Sequence, residues 1–65
     1  MSEVIIMVKR SGKTTEDVKK TLSVKELRRV LEDISGDTPV YFRFGKNGQY
    51  AGITEEDITL RWIVD

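Results

Sequence analysis

Leu22-Ser23-Val24-Lys25-Glu26-Leu27 decides the fold of this chain, because it spells out the start of a helix. Ser23 is a favoured N-cap, and Glu26 stands three residues on, so each side chain can accept from the other residue's backbone N–H. Leu22 and Leu27 flank that box at the spacing of a hydrophobic staple. Val24, Leu27, Val30, Leu31 and Ile34 then recur at helical spacing, which predicts a helix from Val24 to about Ile34 with one apolar stripe. Lys25, Arg28, Arg29, Glu32 and Asp33 fall on the opposite face. Gly36 is expected to take the left-handed position after the last turn, and Pro39 stops the helix.

On both sides of this helix the chain reads as strands. Upstream, Glu3 to Lys9 sets Val4, Ile6 and Val8 against Ile5, Met7 and Lys9, a β-branched alternation that predicts a strand. Arg10-Ser11-Gly12-Lys13 is a turn signal, and Thr14 to Thr21 is expected to return as a weak edge strand. Downstream, Val40 to Gly45 alternates Val40, Phe42 and Phe44 with Tyr41 and Arg43. Asn47-Gly48 is a hairpin signal that predicts a type I′ turn, with Tyr50 to Ile53 as the returning strand. Thr54 to Asp57 is a polar connection with the makings of one capped helical turn, and Ile58 to Val64 alternates as a final strand. The order is β, weak β, α, β, β, β. The expected fold is α+β, with one helix packed on one face of a largely antiparallel sheet of four to five strands. The 65 residues make one domain, 1–65.

Composition removes several function classes. The chain has no Cys and no His, so Ser-His-Asp triads, Cys-His pairs, histidine bases, disulfides and ordinary zinc sites cannot be built from it. Val4–Val8 is too short and lacks the basic flank of a signal peptide or a membrane span. A soluble, cytoplasmic, non-enzymatic protein is expected, with no metal or cofactor. At this size one core is marginal, and without covalent staples self-association is the natural source of extra stability. The net charge is zero but uneven: residues 9–29 carry eight bases and three acids, a net +5, and residues 30–65 carry three bases and seven acids, a net −4.

Four candidate sites follow from these elements. Ser11-Gly12-Lys13-Thr14 has the ending of a phosphate-binding loop, but Met7 stands where its first glycine belongs and no helix signal follows, so it reads as a polar turn. Glu55, Glu56 and Asp57 are carboxylates that a capped turn explains without a metal. If the helix covers one sheet face, Ile5, Met7, Tyr41 and Ile63 leave an apolar patch on the other, a surface for self-association or a protein partner. The alternative is single-stranded nucleic acid on an open sheet face. There Tyr41, Arg43 and Arg61 would meet bases, and Lys9, Arg10, Lys13, Arg28 and Arg29 would meet phosphates.

Thr21-Leu22-Ser23-Val24-Lys25-Glu26-Leu27, then Leu31, Gly36-Asp37-Thr38-Pro39-Val40-Tyr41 and Tyr50-Ala51-Gly52-Ile53-Thr54, resemble a pattern found in small bacteriophage and mobile-element proteins. That resemblance covers about half the chain. It implies an accessory protein of a phage or prophage acting in the host cytoplasm. By source and size it implies a homo-oligomeric inhibitor of a host defence system such as CRISPR–Cas, binding a host protein partner. The pattern carries no catalytic residues to transfer.

Overall fold

A computed structural model describes residues 2–62 of the chain. Strand β1 (Val4–Val8) leads through a 3-10 turn (Thr15–Asp17) to helix α1 (Val24–Leu31). Strand β2 (Val40–Phe44), strand β3 (Tyr50–Gly52) and a second 3-10 turn (Glu55–Asp57) follow. The helix begins as its sequence dictates. Ser23 Oγ accepts the Glu26 N–H at 3.2 Å, and Glu26 Oε1 accepts the Ser23 N–H at 2.9 Å. The Thr54 to Asp57 turn closes the same way, with Asp57 Oδ2 accepting the Thr54 N–H at 2.8 Å.

The sheet overturns the expected antiparallel arrangement of four to five strands. Among the described residues it has three strands in the order β1-β2-β3. β1 and β2 run parallel, with Val4 beside Val40, Ile6 beside Phe42 and Val8 beside Phe44; only β3 is antiparallel to its neighbour. The reason lies in the connection. Parallel neighbours need a crossover of a dozen or more residues, usually helical, and the stretch from Lys9 to Pro39 is such a crossover. Thr14 to Thr21 therefore returns no strand: Thr14 caps a 3-10 turn, its N–H donating to Asp17 Oδ2 at 3.3 Å, and the chain then climbs towards α1. The alternating stretch from Ile58 pairs with no strand through Trp62; the remainder of that expected strand, Ile63 and Val64, lies outside the described residues.

Two turn assignments also change. The β2–β3 loop is not type I′, since only Gly48, at φ +67°, has left-handed backbone. Phe44 and Gln49 close a four-residue loop, with the Gly48 N–H donating to the Phe44 carbonyl at 2.9 Å. Gly36 is not left-handed either. Helix α1 ends at Leu31 in a tightening turn, where the Glu32 N–H reaches Arg29 O at 3.3 Å and the Ile34 N–H reaches Leu31 O at 3.0 Å.

Register divides the apolar residues between two sheet faces. Val4, Ile6 and Val8 share one face with Val40, Phe42, Phe44 and Ala51. Helix α1 does not pack on the sheet as expected: it stands off from the strands, and its Leu27 faces Ile6, Val8 and Phe42 across a groove of about 420 Å³. No described residue is fully buried. The whole chain exposes 6729 Å², whereas a compact monomer of its mass exposes about 4,200 Å². Its radius of gyration is 13.5 Å, against about 11 Å for a compact chain of this length. A single copy thus leaves much apolar surface in water, with Val24, Val30, Ile58, Leu60 and Trp62 all more than half exposed.

Candidate functional site

The open sheet face is built from two cross-strand rows. Ile5 lies beside Tyr41, which lies beside Gly52; Met7 lies beside Arg43, which lies beside Tyr50. Alternation puts these residues in phase, and pairing brings the rows together. Gly52 offers no side chain next to Tyr41, so the Tyr41 ring is left half-covered. Arg43 sits at the centre. Its Cζ lies 5.7 Å from the centroid of the Tyr50 ring, and its Nη1 donates to Met7 Sδ at 3.8 Å. Arg43 Nε is shielded from solvent and has no hydrogen-bond partner among the described residues. Ile5, Met7, Tyr41 and Arg43 are therefore one patch. Tyr50, which the sequence reading did not single out, completes it. Its signal was the hairpin itself, which sets Tyr50 opposite Arg43 once the loop is closed.

The other expected residues are dispersed. Ile63 lies outside the described residues. Arg61 is not on the open face; its Nη2 donates to Thr15 Oγ1 at 3.2 Å, against the first 3-10 turn. Lys9 and Arg10 stand at the end of the groove with Lys20. Lys13 lies in the bend before the first turn, and Arg28 and Arg29 are exposed on α1. Thus Arg61 bonds to the first turn and Arg28 and Arg29 stand on α1, while Lys9 and Arg10 share a groove lining with Met7.

The groove on the helix side is the second unpartnered surface. Ile6, Val8, Val18, Leu22, Leu27 and Phe42 line it, and it runs along β1. Leu22 is 53% exposed and Leu27 39%, so the groove walls are wet. Among the described residues, no three carboxylates are placed to hold a metal ion. No helix there is long and apolar enough to cross a membrane. Among the described residues the titration shift that stands out is at Glu26, whose carboxyl is held below its ordinary value of 4.5, first by the Ser23 N–H and then by the Ser23 hydroxyl. That shift belongs to the helix cap and marks no reactive group. Comparison with family models, with curated proteins and with solved structures finds no match for this chain.

Proposed function

We propose that this chain is a non-catalytic binding protein that works as an oligomer and holds its partners through apolar surface. One observation carries the reading: no described residue is buried, and one copy exposes about 2,500 Å² more than a compact monomer would. Obligate interfaces bury areas of this size. The absence of Cys and His and the exposure of every carboxylate among the described residues support a role in binding rather than catalysis. The resemblance to phage and mobile-element proteins supports a more specific role, inhibition of a host defence system through a host protein. Light-scattering mass across protein concentration and salt tests the core of this reading. A mass that is a multiple of 7.5 kDa and persists in high salt is expected; a folded monomer at every concentration overturns it.

A second reading has one observation in its favour, the placement of Tyr41, Arg43 and Tyr50 on one sheet face. Stacked aromatics beside a cation are how single-stranded nucleic acid is held. The dispersal of the remaining cations and the zero net charge weigh against it.

A further inference from the structure

The stretch that follows the second 3-10 turn has an arrangement that nothing among the described residues of its own copy satisfies. The Thr54–Asp57 box fixes where it leaves the body, and the Arg61 hydrogen bond to Thr15 Oγ1 pins it beside the first turn. In an extended chain neighbouring side chains point to opposite sides, so anchoring Arg61 turns Leu60 and Trp62 outward. Their exposures agree: Ile58 is 71% exposed, Leu60 83% and Trp62 86%. This is an apolar row of three side chains presented to water.

The same molecule carries a surface of complementary chemistry. The groove is apolar, open and lined along one side by β1. β1 is an edge strand: Val4 N–H and Val8 C=O bond towards β2, so the amides of Ile5 and Met7 face away from the sheet. Lys9, Arg10 and Lys20 make the groove mouth basic, while Glu55, Glu56 and Asp57 precede the apolar row and make its approach acidic.

We propose that two copies of this chain exchange these elements. Ile58, Leu60 and Trp62 of each copy seat in the groove between α1 and β1 of the other, and the acidic turn of one faces the basic groove mouth of its partner. The proposal rests on the oligomeric reading above and names its interface. Two reciprocal contacts close a two-fold dimer and cover part of the excess exposed area.

Trp62 is the only tryptophan, so its fluorescence reports this contact alone. The experiment follows emission and light-scattering mass together on dilution, for the native chain, Leu60→Asp and Ile5→Lys. The native chain is expected as a dimer of 7.5 kDa copies with short-wavelength emission, shifting to that of a water-exposed indole as the mass halves. Leu60 is already exposed in the single copy, so Leu60→Asp leaves the protomer folded. It should raise the dimer dissociation constant about a hundredfold or more, because both grooves lose a leucine. Ile5→Lys, on the opposite sheet face, should leave the dimer intact. An oligomer with solvent-exposed Trp62 emission that Leu60→Asp does not disrupt overturns this interface and leaves the oligomeric reading standing. A folded monomer throughout overturns both.

Discussion

Replacing Gly48 with alanine should loosen the β2–β3 hairpin and disturb the open face with it. Gly48 is held at φ +67°, where an L side chain costs about 1–2 kcal/mol. The new Cβ would also stand 3.2 Å from Arg43 Nη2, tighter than ordinary contact. The end of a flexible side chain can give way, so the second effect falls on the Arg43 contacts with Tyr50 and Met7 more than on stability. For a domain of this size each kcal/mol shifts Tm by about 4–8 °C, so Gly48→Ala should melt about 5–15 °C lower. Gly48→Asn should lose less, because asparagine tolerates left-handed backbone. Gly36 is the internal control. Its backbone is not left-handed and nothing lies within 4 Å of a Cβ built there. Gly36→Ala should be neutral or stabilise by about 0.4–1 kcal/mol through the unfolded chain. Thermal unfolding followed by circular dichroism, at one protein concentration because assembly shifts Tm, measures all three variants. Equal melting of Gly48→Ala and the native chain would refute the reasoning, as would a Gly36→Ala loss as large as that of Gly48→Ala.

Three further outcomes follow from the same geometry. Ser23→Ala removes the acceptor of the Glu26 N–H and should cost about 1 kcal/mol, read as a lower denaturation midpoint with unchanged m-value. Because folding holds the Glu26 carboxyl below 4.5, its contribution is present above that pH and is lost as pH falls through the folded value. Acid titration of the helical signal in Glu26→Gln should therefore show a shallower loss below pH 4.5 than the native chain, and coincident curves would remove that account. For the open face, the Tyr41→Ala/Arg43→Ala double variant separates the two readings. If single-stranded DNA binds there, affinity falls by about 1–3 kcal/mol for each stacked base lost and the salt slope shrinks; unchanged binding excludes that site.

What the sequence decided by itself is local. The Ser23–Glu26 and Thr54–Asp57 boxes join residues three apart, so their hydrogen bonds are determined before any tertiary contact forms. The phase of each strand is also local, because alternation alone sets Tyr41 and Arg43 against Val40, Phe42 and Phe44. Sheet pairing is different. β1 bonds to β2 across 31 intervening residues, and the choice of a parallel neighbour depends on how the helical crossover folds back, which no short window contains. The left-handed glycine is Gly48 and not Gly36 because loop closure between Phe44 and Gln49 demands it, while the end of α1 tightens without such a residue. Alternation from Ile58 to Trp62 marks one side of the chain as apolar, but only a tertiary surface can supply something to cover it. Among the described residues of a single copy none does, and that mismatch between local pattern and available partner is what the proposed exchange between copies would resolve.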